Sequence, residues 1–232
     1  SMTGLLASVS SPTEARIALA ASADIIDCKD PHDGAQGALP PETIAGERHT
    51  SATTGDLGGA IRQLRDAVHR AADCGVDYVE FGLFSTESAR AQIDAPRNLT
   101  PQHDLIAVCF ADRYDPESLL GPLADGGIRG VMIDTADKVG GSLTELWSTD
   151  RTGRFVRRAH ELGLLCGLAG RLRATDIAEL LTLKADYLGF RSALCGGDRR
   201  IGLDHASLMS VRDRIPFHSP TAPVQRTVME LH

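Results

Sequence analysis

Two lysines stand among carboxylates in settings that could hold a reactive amine. Lys29 follows Asp24-Ile25-Ile26-Asp27-Cys28, and Lys138 closes the run Met132-Ile133-Asp134-Thr135-Ala136-Asp137. A lysine attacks a carbonyl carbon, to give a Schiff base, only as the free amine. At an ordinary pKa of about 10.4, roughly one molecule in 2,500 is in that form at pH 7. Lowering the pKa to about 7.5 raises the fraction several-hundredfold and costs about 4 kcal/mol of ammonium stabilisation. Burial and a second lysine push in that direction, while nearby carboxylates oppose it. Side chains alternate along a strand, so Asp27 and Lys29 share one face, as do Tyr78, Glu80 and Gly82. The expected roles are Lys29 as the Schiff-base amine, Glu80 or Asp134 as proton acceptor, and Lys138 with Asp134 as proton donors. Asp27 adjusts the charge around Lys29.

A second set of residues suits an anion. Gly170-Arg171 and Arg191-Ser192, with Gly196-Gly197 beyond, combine small residues with guanidinium groups. Small residues let backbone N–H groups approach a phosphate, and arginine binds it through two parallel hydrogen bonds. Gly170, Arg171, Arg191, Ser192 and Gly196 are therefore the candidate phosphate-binding residues. The alternative is that the glycines serve tight turns, the arginines are solvated, and the lysines and carboxylates form ordinary rim salt bridges. For Lys29 and Asp134, in strongly apolar surroundings, a buried charge without a partner would be costly, which favours a functional role.

The elements that must position these residues alternate along the whole chain. Eight apolar, β-rich runs (Leu5–Val9, Asp24–Cys28, His49–Thr53, Asp77–Gly82, Leu105–Phe110, Gly130–Asp134, Leu164–Ala169 and Asp186–Phe190) are separated by helical stretches. The helical stretches are Pro12–Ala21, Gly59–Asp73, Thr86–Ala95, Pro116–Ala124, Thr152–Glu161, Ala174–Leu181 and His205–Arg214. Near-continuous apolar strands between helices predict a parallel sheet covered on both faces. Three strands enter through one turn grammar, Ala23-Asp24, Gly75-Val76-Asp77 and Ala185-Asp186, as repeating βα units should. Ser11-Pro12-Thr13-Glu14 reads as a helix cap followed by an acid. Eight strands favour a closed (β/α)₈ TIM barrel over an open doubly wound sheet. One α/β domain over residues 1–232 is expected, with 215–232 a tail that is loose or docked on the outside. In such a barrel the strand carboxyl ends carry the chemistry, and the loops after strands seven and eight bind phosphate.

Composition narrows the function further. The 232 residues carry 24 basic and 31 acidic side chains, a formal charge of −7. That argues against nucleic acid and anionic membrane surfaces as partners, but a local cluster can still bind a small anion. No run approaches 18 apolar residues and the first residues show no signal-peptide pattern, so a cytoplasmic location is expected. Five cysteines without a CxxC pair suggest buried thiols, with Cys28, Cys109 and Cys166 in apolar runs. No nucleotide-loop or nucleophile-elbow motif occurs, so no cofactor and no metal are expected.

Read in order, several segments resemble the (5-formylfuran-3-yl)methyl phosphate synthase family. They are Ala23-Asp24-Ile25-Ile26-Asp27-Cys28-Lys29-Asp30-Pro31 with Gly34 and Gly37-Ala38, then Ser51-Ala52-Thr53-Thr54-Gly55-Asp56 and Asp77-Tyr78-Val79-Glu80-Phe81-Gly82-Leu83. Met132 to Lys138, Leu168-Ala169-Gly170 and Gly197-Asp198-Arg199 follow. The resemblance implies a TIM-barrel lyase that condenses two glyceraldehyde 3-phosphate molecules, one after isomerising to dihydroxyacetone phosphate. The product is a furan precursor of methanofuran, a carrier in one-carbon metabolism. It also implies that Lys29 is the Schiff-base lysine and that Lys138 and Asp134 are the loop lysine and its acid. Where the family pattern has a strand-four lysine, this chain has Glu80. The other readings are a class I aldolase acting on another sugar phosphate and a barrel that only binds a phosphorylated metabolite. The expected partner is a small triose phosphate, and a homo-oligomer is left open.

Overall fold

The computed structural model describes residues 2–28, 49–53, 66, 68–69, 75–94, 103–137, 139–198 and 201–216. Eight parallel strands meet in chain order: β1 (Gly4–Val9), β2 (Ile25–Cys28), β3 (His49–Thr53), β4 (Tyr78–Leu83), β5 (Asp104–Phe110), β6 (Gly130–Asp134), β7 (Leu165–Leu168) and β8 (Tyr187–Phe190). β8 returns to β1, pairing Leu6 with Gly189, so the sheet is a closed barrel and the open-sheet alternative is excluded. All eight expected strands are present, each within a residue or so of its expected bounds.

Around the barrel lie α1 (Pro12–Ala20), α2 (Thr86–Asp94), α3 (Leu120–Asp125), α4 (Leu143–Leu146), α5 (Thr149–Glu161), α6 (Ile177–Leu181) and α7 (His205–Arg212). Outward side chains of the strands, such as Leu5, Phe81, Leu105 and Ile133, pack with Leu123, Phe155, Ile177 and Leu208 from the helices. That layer is the main core. α5 starts before the expected Thr152 because the Ser148 side chain accepts the Arg151 N–H and caps the helix one turn earlier. The short α4 was not expected, since one helical turn is too short to show a period. Most of the helix expected at Gly59–Asp73, and the tail from residue 217 onward, lie outside the described residues.

The interior is filled by Leu6, Ile106, Val108, Phe110, Met132 and Tyr187. Gly167 makes room for Tyr187: a Cβ there would lie 2.1 Å from the phenol ring.

The repeated turn grammar has a structural cause at the amino end of the barrel. The Asp24 N–H donates to the Leu5 carbonyl at 2.9 Å, and its carboxylate accepts the Leu5 N–H at 2.7 Å. Asp77 does the same to Thr50, at 3.0 and 2.8 Å, and Asp186 to Cys166, at 2.8 and 2.7 Å. Each aspartate thus clamps the start of its strand to the strand before it, satisfying an N–H that the parallel ladder leaves over. At the fourth such junction, between β5 and β6, Arg129 supplies only the backbone bond, to Leu105 at 2.9 Å.

Candidate active site

A cavity of about 720 Å³ opens at the carboxyl ends of the strands. Asp27 from β2 and Asp134 from β6 line it, together with Gly170 and Arg171 after β7, and Arg191, Ser192 and Gly197 after β8. Six of the ten expected site residues therefore share one mouth. Gly196 is not in its wall; its φ of +64° and that of Gly197, +93°, turn the chain so that Gly197 faces the cavity instead. Lys29 and Lys138 lie outside the described residues.

Glu80 is placed differently from Asp134. It lines a smaller cavity of about 150 Å³ beneath the mouth, beside Ser51, Tyr78 and Tyr187, and is only 2% exposed. Asp27, fully buried, bridges the two levels. Its Oδ2 accepts the Ser8 hydroxyl at 2.9 Å, and its Oδ1 lies 3.2 Å from the Ser51 hydroxyl. The same Ser51 oxygen lies 3.3 Å from Glu80 Oε1. Register explains the cluster: Ser8 pairs with Asp27 and Asp27 with Ser51 along adjacent strands, so the three point inward at one level. Neither serine stands out along the chain as a site residue; the polar row they form with Asp27 appears only across the paired strands. Burial and then the nearby Glu80 push the Tyr187 hydroxyl well above its ordinary range, so that phenol stays protonated.

The loop after β6 is tied to β5. Asp112 accepts the Ala136 N–H at 2.9 Å and the Asp137 N–H at 2.7 Å. Burial acts to raise the Asp112 pKa, but these N–H donors outweigh it and hold the carboxyl below its ordinary range. Asp134 accepts the Thr135 N–H at 2.7 Å, which fixes its carboxylate at the rim.

On the β7 side, Gly170 adopts φ +107°, and a Cβ there would meet Thr135 Cγ2 at 2.9 Å. Arg171 follows at φ +53°, a left-handed conformation that costs a non-glycine residue about 1 kcal/mol. Two successive residues held this way turn the loop back over the mouth.

Arg191 is committed more tightly than expected. Its guanidinium binds both oxygens of Glu14, at 2.6 and 3.2 Å, and the Ser8 carbonyl at 3.2 Å. The Glu14 carboxylate was read as part of a helix cap. Ser11 does cap α1 by accepting the Glu14 N–H, but the Glu14 side chain reaches to Arg191 and to the Ser10 N–H. With its charge matched by Glu14, Arg191 fixes the β8 turn, and Arg171 has the more exposed guanidinium at the mouth.

Among the described residues no group of three or more His, Cys, Asp or Glu side chains is arranged to hold a metal ion. No helix there is long and apolar enough to cross a membrane. Cys28, Cys109, Cys166 and Cys195 are buried and not in disulfides, and burial pushes the Cys109 thiol up to about 12.

A closed barrel with carboxylates and glycine-rich loops gathered at its carboxyl end has the architecture of a TIM-barrel enzyme. The barrel superposes on 3-hexulose-6-phosphate synthase from Salmonella typhimurium (TM-score 0.63, 13% identity, 91% of this chain and 98% of that one). It also superposes on phosphoribosyl anthranilate isomerase from Thermus thermophilus (TM-score 0.62, 12% identity, 90% and 97%). At such identities the likeness speaks for the fold alone. The family model of 4-HFC-P synthase matches residues 5–212, and the chain belongs to that family. The (5-formylfuran-3-yl)methyl phosphate synthases of Methanopyrus kandleri (35% identical, 88% of this chain and 95% of the relative) and Methanocaldococcus jannaschii (34%, 85% and 93%) are similar along most of their length. So is a Methylorubrum extorquens protein given the same activity provisionally (41%, 87% and 87%).

Proposed function

We propose that this chain is a (5-formylfuran-3-yl)methyl phosphate synthase of methanofuran biosynthesis. It condenses two glyceraldehyde 3-phosphate molecules through a Schiff base on Lys29, with loss of one phosphate and of water. The observation that carries the reading is that Asp27, Asp134, Gly170, Arg171 and the β8 turn line one cavity at the end of the barrel where this fold does its chemistry. Membership of the synthase family supports the reaction.

In this mechanism the Lys29 amine attacks the triose carbonyl, water leaves, and the iminium acidifies the neighbouring carbon. Asp134, at the rim, takes the carbon proton, and Lys138 with Asp134 returns protons to the departing oxygens. Glu80, enclosed below the mouth, acts at one remove from substrate. Arg171 and the N–H groups of the β7 and β8 turns hold a phosphate, and Arg191, locked to Glu14, keeps the β8 turn in position. Incubation with glyceraldehyde 3-phosphate should release phosphate and produce furan absorbance. Borohydride added with substrate should trap label on the peptide containing Lys29. Label on another lysine, or no furan at all, rejects the proposal.

A further inference from the structure

The small cavity below the mouth reaches the opposite pole of the barrel. Ile25, Tyr78, Leu165 and Asp186 stand at or next to the first residues of their strands, are half-buried, and form its rim. Behind them Leu6, Ile106, Ser51, Glu80 and Tyr187, each no more than 5% exposed, enclose the space of about 150 Å³. An apolar cavity of about that size takes a benzene ring in other proteins. Leu6 lines both this cavity and the mouth and so marks the boundary between them.

The polar groups of the wall are not equivalent. Glu80 lies 3.3 Å from the Ser51 hydroxyl, while Asp186 accepts the Cys166 N–H at 2.7 Å and meets His160 Nε2 at 2.8 Å. Both carboxylates are therefore engaged within the protein. The Tyr187 hydroxyl has no hydrogen-bond partner among the described residues, although the residue is only 5% exposed. Its ring is fixed against Gly167, where a Cβ would lie 2.3 Å from Tyr187 Cζ, the carbon that carries the hydroxyl. A buried donor without an acceptor is costly, so the group calls for one. Burial keeps the phenol protonated, which leaves it a hydrogen to give. No lysine or arginine stands in the wall among the described residues, so the cavity lacks the cation that a phosphorylated compound needs.

We propose that this cavity is a binding site, separate from the mouth, for a small neutral ring compound with one hydrogen-bond acceptor, which the Tyr187 hydroxyl recognises. The ring packs against Leu6, Ile25, Ile106 and Leu165, and an ether or carbonyl oxygen accepts the Tyr187 O–H. The site is independent of the reaction proposed above, since its ligand carries no phosphate and enters at the other pole.

The test titrates para-fluoroanisole and para-fluorotoluene into the full-length chain, followed by fluorine NMR. The two rings have similar shapes, and only the first carries an oxygen. Para-fluoroanisole should bind with a dissociation constant of about 0.1–1 mM, and para-fluorotoluene about threefold to tenfold more weakly. Tyr187→Phe keeps the ring on Gly167 and loses the hydroxyl, so the two probes should bind it within about twofold of each other. With no bond to lose, that variant should melt no lower than the unaltered chain. Ile25→Trp, folded as judged by its melting transition, fills the rim and should bind neither probe, and saturating glyceraldehyde 3-phosphate should displace neither from the unaltered chain. Failure of both probes to bind, equal binding of the two, or a preference that survives Tyr187→Phe overturns the proposal. So does binding to folded Ile25→Trp, displacement by the triose phosphate, or a Tyr187→Phe melting temperature lowered by more than about 3 °C.

Discussion

Arg191 holds Glu14 through both terminal guanidinium nitrogens, at 2.6 and 3.2 Å, joining the end of the last strand to the first helix across 177 positions of sequence. Arg191 lines the mouth, and the pair is mostly shielded from water, with side-chain exposures of 16% and 10%. Removing one partner of such a pair leaves the other charge buried. Glu14→Gln should therefore lower stability by about 3 kcal/mol and raise KM for the phosphorylated substrate, as the β8 turn loosens. Burial acts to raise the Glu14 pKa, but the Arg191 and Ser10 bonds outweigh it, so the folded value lies below the ordinary 4.5. A depressed carboxyl stabilises the fold above its unfolded pKa and loses that contribution as pH falls through the folded one. The stability difference between Glu14→Gln and the unaltered chain should thus shrink below about pH 4.5 in urea titrations. A difference that stays constant down to strong acid contradicts this account.

Asp77 should matter to the barrel and hardly at all to turnover. Asp77→Ala strips the acceptor from the Thr50 N–H and should cost about 1–3 kcal/mol by urea denaturation. Asp77→Asn keeps one side-chain oxygen that can accept, so its loss should be clearly smaller. Equal losses in the two variants would mean that charge, and not the hydrogen bond, closes that junction.

Gly170 and Gly121 make a pair of opposite sign. Gly170→Ala would place a methyl 2.9 Å from Thr135 Cγ2 at φ +107°, so substrate KM should rise about tenfold as the β7 turn shifts. Gly121 lies within α3, and a Cβ there meets nothing within 4 Å. Gly121→Ala should raise stability by about 0.5–1 kcal/mol and leave kinetics unchanged. Both effects can be read from thermal melts and steady-state rates on the same preparations.

Asp112 tethers the backbone next to Lys138, so its removal should be felt in catalysis more than in folding. Asp112→Ala should lower kcat/KM at least about tenfold while changing the melting temperature by only a few degrees. Because these backbone donors hold Asp112 below its ordinary 3.8, the tether persists through neutral pH and fails only as pH drops through that lowered value. An unaltered kcat/KM in the variant would show that the loop holds its shape without the carboxylate.

Much of this protein could be read from its residues. The eight apolar runs and the Ala/Gly-to-Asp turns located every strand, because parallel strands buried on both faces leave little room for polar residues. What could not be read depends on which side chains meet across the barrel. Ser51 reads as an ordinary strand residue until register pairs it with Asp27 and its hydroxyl comes within 3.3 Å of Glu80. Glu14 looks like a helix cap, since its match to Arg191 is invisible along the chain. Arg191 was expected among the phosphate-binding residues, and its pairing with Glu14 was not legible because it depends on closure between the first and last strands. The placing of Glu80 below the mouth follows from barrel depth, which alternation along one strand does not specify.

The three aspartate clamps stand at the opposite end of the barrel from Asp134, Arg171 and the β8 turn. Three of the strand junctions are thereby secured at the pole away from the large mouth. Loops at the mouth other than the β8 turn, which the Arg191–Glu14 pair holds, can therefore be altered without touching any of these three junctions.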